Sequence, residues 1–401
     1  MIDSRSLTVV NALIFDGSSP DLTPGAIEIV DGTVTAVGDL TPAAGATVVD
    51  AGGKVVMPGL IDAHFHAYGT SLSALENESV SLSYVSLVGA ARLRSALGRG
   101  FTTVRDVAGG DIGLANAIER GYVVAPRYLY TGAALSQTGG HGDARPADFD
   151  LCCPGGHMCE VVDGVDNLRR AVRERFRTGA HAIKVMTSGG VVSLTDPIRI
   201  PQYSPEELRA VVEEAGRRGS YVAAHAYSPE SIVHAVSNGV RTVEHGNLLD
   251  EGSAGVMAEH GAYLVPTLVA YDAMERRGDE VNMSPISKVK NKEVLDSGLR
   301  AIEVARAAGV TIGWGSDLMG ELEDDQLRGL RLQLEVESPL EVLRSVTSVN
   351  AEIIRRPDLG RIGVGAAGDL LLVDGNPLED PSVVWDESRP RTVIQRGMVV
   401  M

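Results

Sequence analysis

The sequence predicts an α/β protein, a (β/α)8 TIM barrel with a small β-sandwich domain built from both termini, and two observations carry that prediction. Over ~300 central residues, short apolar runs alternate with stretches of helical periodicity often enough to supply an eight-stranded barrel. At the two ends the texture changes to short β-rich runs separated by turn residues.

The elements follow in order. Leu7 to Phe15 and Ala26 to Val30 are β-rich, Asp31-Gly32 is a hairpin-type turn, and Val34 to Val37 is the returning strand. Apolar runs then recur near 60–66, 102–106, 127–131, 182–186, 221–225, 241–245, 263–267 and 311–317. Pro205–Arg218, after the Ser204 cap, and Ser228–Asn238 carry helical periodicity between them. Asp369 to Val373 and Thr392 to Gln395 close the chain, with Asp374-Gly375-Asn376-Pro377 between them. The expected division is 1–56 and 359–401 for the β-sandwich, and 57–358 for the barrel. A doubly wound sheet is the rival, but no Gly-x-Gly-x-x-Gly fingerprint follows an early strand.

Composition narrows the function classes. The chain has 401 residues, 44% hydrophobic and 22% charged, which fits a large packed core rather than disorder. A net charge of −17 argues against a nucleic-acid partner or a polybasic membrane anchor. No apolar run approaches the roughly 18–20 residues of a membrane span. Met1-Ile2-Asp3-Ser4-Arg5 does not read as a secretory signal, and 3 cysteines make no disulfide framework. A cytoplasmic protein is the expectation.

The strongest signal is the placement of polar residues. His64, His66, Lys184, His225, His245 and Asp317 all fall at or just beyond the carboxyl ends of expected strands, the end of a barrel where active sites are built. His64 and His66 share a face because residues i and i+2 of a strand point together. Neutral imidazoles with a carboxylate suit zinc or a similar divalent ion. Lys184 lies between Ile183 and Val185, so it reads as an inward lysine in an apolar setting.

Several motifs carry a family resemblance. Pro58-Gly59-Leu60-Ile61-Asp62-Ala63-His64-Phe65-His66, Ile183-Lys184-Val185-Met186, Ala224-His225-Ala226-Tyr227, Val243-Glu244-His245-Gly246-Asn247 and Gly315-Ser316-Asp317 together resemble the amidohydrolase superfamily. Within it the chain is most similar to the branch of metal-dependent Xaa-Pro dipeptidases and carboxypeptidases, which also contains xenobiotic amide hydrolases. The resemblance implies two divalent ions, zinc foremost. His64, His66 and Asp317 would hold the more buried one, His225 and His245 the more exposed one, and Lys184 would bridge both as a carbamate formed with carbon dioxide. It implies attack by a bridging hydroxide, with Asp317 as general base and then general acid. Tyr227 and His141 are candidates to hydrogen-bond the carbonyl or the developing oxyanion.

The implied partner is a small molecule: a dipeptide or N-acyl amino acid, with an aryl amide, carbamate or urea as the alternative. A homo-oligomer is implied as well. A free substrate carboxylate needs a cation, and Arg145 or Arg199 offers one. A cyclic-amide hydrolase and a deaminase are further rivals; the deaminase branch usually has a glutamate three residues after the His225 position, where this chain has Ser228. The loop from about Gly132 to Asp163 is expected to cover the mouth. Its Cys152, Cys153, His157 and Cys159 are too irregularly spaced for a structural zinc site. His181, His234 and His260 read as structural.

Overall fold

The computed structural model describes residues 6–146, 156–194 and 196–401. Parallel strands Leu60–Phe65, Phe101–Asp106 and Arg127–Tyr130 form one sheet. A second contains Ile183–Met186, Val222–Ala226, Thr242–His245, Tyr263–Val265 and Thr311–Ile312 in that spatial order. Backbone bonds join the two sheets at both edges. His181 N–H donates to Tyr130 O at 2.7 Å on one side; Ala63 N–H donates to Trp314 O at 3.2 Å, and Asp317 N–H to His64 O at 2.8 Å, on the other. The result is a TIM-like ring of parallel strands with helices between successive members, as the alternating sequence texture predicts.

Local chemistry explains the helices that line the ring. Pro205–Arg217 and Pro229–Ser237 each begin with a serine cap, Ser204 and Ser228, and a proline in the first turn. Ser204 and Glu207 form a capping box. Ser228 caps its own helix through Ser231, which accounts for a serine where the deaminase branch carries an acid.

The chain ends pair with each other. Met398–Val399, Arg391–Gln395, Leu370–Val373, Val55–Pro58, Ser6–Ile14, Thr23–Val30 and Thr33–Gly38 are successive neighbours in one eight-stranded sheet, and Thr47–Asp50 pairs alongside Ser6–Ile14. Asp31 (φ 49°) and Gly32 (φ 79°) make the left-handed pair that a tight right-twisted hairpin demands. Val55 and Met57 on this sheet share a core with Leu60, Leu93, Phe101 and Trp314 of the ring. Trp314 stacks on Phe101 with centroids 5.2 Å apart. Arg127 and Asp369 pair across the same boundary at 2.5 Å. Among the described residues no helix is long and apolar enough to cross a membrane.

Candidate metal centre and active site

The strands aim their polar residues by simple alternation. Ile183 and Val185 turn outward into a core with Leu135, Leu168 and Val222, so Lys184 turns inward, where it is 2% exposed. His245 and Asp317 are placed differently. Both adopt left-handed backbone, φ 76° and 54°, a conformation that costs a non-glycine residue roughly 1–3 kcal/mol and concentrates at functional sites. Gly315 lets the last strand approach the first, because a Cβ there would lie 2.5 Å from the Cβ of His64.

His64, His66, Lys184, His225, His245 and Asp317 all line one narrow cavity of about 100 Å³, together with His141, Tyr227 and Tyr271. It shares His141, Leu72, Ala74, Val192 and Met319 with a broader outer cavity of about 640 Å³. His66 Nε2 lies 2.9 Å from Asp317 Oδ1, and His64 Nε2 lies 3.3 Å from the same oxygen. His245 Nδ1 lies 3.6 Å from Asp317 Oδ2. The ring centroids of His225 and His245 are 4.6 Å apart, and His141 stacks on His225 at 4.2 Å.

The donor set fits divalent metal. His64, His245 and Asp317 offer ligand atoms that all lie within 4.8 Å of one another. Buried His66 Nδ1 has no hydrogen-bond partner among the described residues. Burial lowers the pKa of His66, His225 and His245, keeping the imidazoles neutral as ligation requires. Burial also raises the Asp317 carboxyl, but the neighbouring histidines more than offset it and hold the acid ionised. Lys184 is lowered to about 8 by its burial, against the pull of Glu244 and Asp317, so a neutral amine is accessible near neutral pH.

A buried polar layer orients these groups. Glu244, fully buried, accepts from His64 Nδ1–H at 2.8 Å, from Thr242 Oγ1–H at 2.6 Å, and from Arg105 Nη2 at 2.8 and 2.9 Å. The first of these contacts fixes the His64 tautomer and leaves the Nε2 lone pair available to a ligand. Asp62 joins the first and last strands by accepting from His64 N–H (3.0 Å), Ser316 N–H (3.1 Å), Ser316 Oγ–H (2.5 Å) and Gln326 Nε2 (2.8 Å). His225 donates Nε2–H to Gly189 O at 3.0 Å, which leaves its Nδ1 lone pair unclaimed. Tyr271 OH lies 2.8 Å from both His245 Nδ1 and Tyr227 OH.

The remaining expected residues divide. His141 and Tyr227 line the inner cavity. Arg145 lines the outer one, its guanidinium on Asp143 at 2.6 and 2.7 Å. Arg199 lines neither; its exposed side chain pairs with Glu293 at 2.6 Å. His181, His234 and His260 each bond a backbone carbonyl. Of the loop cysteines, Cys152 and Cys153 lie outside the described residues. Cys159 is a free thiol lining the inner cavity, and His157 is 3.0 Å from Val80 O. The same loop contributes Gly142 and Met158 to the inner cavity and Asp143 to Pro146 to the outer one. Sequence reasoning missed Glu244, Arg105, Asp62 and Tyr271. For the first three the available signal was a full charge within a strand run, which must find a partner when buried; Tyr271, on the helix Leu268–Arg277, gave no such signal.

Comparison with known proteins agrees with this geometry. The sequence model of the amidohydrolase family matches residues 55–400. Ochratoxinase of Aspergillus niger is 36% identical over 366 residues, spanning 86% of this chain and 75% of that protein. The crystal structure of a prolidase complexed with N-methylphosphonate-L-proline is 44% identical, with a TM-score of 0.96 and coverage of 98% of this chain and 99% of that one. A Xaa-Pro dipeptidase with methionine bound in its active site is 28% identical, with a TM-score of 0.88 and the same coverage. With the family match spanning most of its length, this chain belongs to the amidohydrolase family.

Proposed function

We propose that this hydrolase of C–N amide bonds is metal-dependent and releases a C-terminal amino acid from a dipeptide or N-acyl amino acid. The observation that carries the reading is the convergence of six ligand-type residues from five strand ends on one cavity. His64, His66 and Asp317 would hold one divalent ion, and His225 and His245 a second. Lys184, once its neutral amine has added carbon dioxide and shed a proton, would lie between them as a carbamate. A zinc pair bound there supplies an acidified water and a polarised scissile carbonyl.

The chain's own groups do the rest. Asp317 takes the proton of the attacking water and returns it to the departing amine. Burial raises the Tyr227 phenol well above its usual range, so it stays a neutral donor, and with His141 it hydrogen-bonds the carbonyl oxygen as charge develops there. Arg145 at the outer cavity receives a substrate carboxylate, with Arg199 the weaker candidate because of its pairing with Glu293. We take 57–358 as the catalytic barrel and 1–56 with 359–401 as an accessory β-sandwich domain.

A second reading, hydrolysis of neutral aryl amides, has specific support. Met158, Met186, Met274 and Met319 line the inner cavity, making an adaptable apolar wall. Arg145, among the described residues the one guanidinium lining either cavity, already has a carboxylate partner. The deciding experiment combines metal analysis with a turnover panel of dipeptides, N-acyl amino acids, their C-terminal amides and aryl amides. The dipeptidase reading expects up to two ions per chain, a large loss on amidating the C-terminus, and a raised KM in Arg145→Gln. Aryl amides that outpace every dipeptide, with no penalty for amidation, select the second reading. Full activity in a strong chelator removes the metal-dependent mechanism altogether.

A further inference from the structure

The loop that follows the Lys184 strand is more tightly held than a mouth loop needs to be, and its anchor comes from a distant helix. Its backbone touches two of the cavity's imidazoles. Gly189 O accepts from His225 Nε2–H, and Gly190 lies flat against His141, where an added Cβ would fall 2.0 to 2.6 Å from the ring atoms. Its side chains take the other edge of the same ring. Ser193 Oγ is 2.9 Å from His141 Nδ1, and Asp196 Oδ2 is 3.5 Å from it while accepting Gly190 N–H at 3.0 Å.

Lys290 reaches in from the helix Pro285–Ala307 and uses all three ammonium protons on this loop. It donates to Gly190 O at 2.9 Å, Ser193 O at 2.8 Å and Asp196 O at 2.9 Å. The carbonyls of residues 190, 193 and 196 thus converge on one ammonium. Asp196, 3% exposed, ties them to His141.

We propose that Lys290 and Asp196 are positioning residues: Lys290 holds the loop closed, and Asp196 with Ser193 fixes the His141 ring so that Nε2 is the nitrogen presented to the substrate carbonyl. The proposal rests on the role assigned to His141 above. A group that strengthens its contact only as charge develops depends on orientation more than on mere presence. Loss of the clamp is therefore expected in kcat rather than in KM.

The test is a double-mutant cycle on the best-turned-over amide of the panel. Lys290→Met is expected to lower kcat by at least about tenfold with KM within about threefold and metal content unchanged, and to cost almost nothing further in a His141→Ala background. Lys290→Arg, which keeps a cation and several donors, is expected to recover part of the loss. Equal fold-losses in both backgrounds, or no loss in the wild-type background, overturn the proposal. If Lys290→Met folds poorly, Asp196→Asn runs through the same cycle with the same expectations.

A second readout needs no turnover, so it separates failure of this proposal from failure of the functional reading. In nitrogen-15 histidine spectra, the His141 resonances, assigned by their loss in His141→Ala, should move in Lys290→Met and in Asp196→Asn, while those of His181 and His260 stay in place. Unmoved His141 resonances overturn the proposal whatever the enzyme hydrolyses.

Discussion

Replacing Glu244 by glutamine tests whether the buried ionic layer beneath the centre is what orients His64. The two carboxylate oxygens take four contacts: His64 Nδ1, Thr242 Oγ1 and two from Arg105 Nη2. Glutamine keeps the shape but removes the charge and turns one oxygen into a donor facing other donors. Arg105, fully buried, then has no counter-ion; breaking a buried pair from one side costs about 3–5 kcal/mol. Loosening the partner of a ligating imidazole weakens metal affinity by about 10–100-fold. The first effect is read as the denaturant midpoint of metal-free Glu244→Gln, so that lost metal does not enter the comparison. The second is read by titrating zinc against a competing chelator. A variant matching wild type in both midpoint and zinc affinity would refute the argument.

Three other perturbations follow from the same structure. Lys184→Ala should lose most turnover and one ion by elemental analysis, with partial rescue by short carboxylic acids; Lys184→Arg should not recover function, since a guanidinium stays protonated and does not form a carbamate. Glu337 is raised to about 7 by burial, chiefly, and by Glu341, against Gln333 and Arg306. Below its unfolded value it is protonated in both states and contributes nothing. As pH rises toward 7 the unfolded chain ionises first, so stability falls, and Glu337→Gln should be the more stable protein at pH 8 by up to about 3 kcal/mol, the difference vanishing near pH 4. Denaturant midpoints across that range measure it. Gly190→Ala would drive a methyl into the His141 ring and should cost up to about 10²-fold in kcat with metal content intact.

The sequence disclosed the ligand-type residues because strand ends are legible: a short apolar run that stops at a histidine, lysine or aspartate states both the element and the face. Lys184 shows this best, its outward neighbours Ile183 and Val185 belonging to a hydrophobic cluster. The same alternation misleads at Glu244. If His245 faces inward, period two sends Glu244 outward; in the structure both serve the centre, because the left-handed turn at His245 breaks the period. Asp317 is placed by a similar turn. Short strands escaped notice too. Ala134–Ser136 and Cys159–Val161 are three residues each, below the length at which a pattern is visible, yet they position Gly142 and Met158 at the cavity. The sequence offers Arg199 either as a carboxylate receptor or as a structurally paired arginine; its partner, Glu293, comes from a helix ninety-odd positions later, too far along the chain for spacing to reveal.

The ring closes at a seam between its first and last strands. His64 sits on its first strand, His66 at that strand's end and Asp317 beyond its last, with His66 and Asp317 separated by 251 positions in the chain. Bringing such distant segments together costs on the order of 5 kcal/mol of loop-closure entropy before any constant term. Two backbone bonds and the Asp62–Ser316 contacts hold the seam, and a divalent ion held by all three residues, as proposed above, would add a clasp across it. Its binding free energy would then count toward closure. An enzyme built as proposed would couple loading to architecture: the ion that equips the chemistry would also help to hold the first and last strands of the ring together.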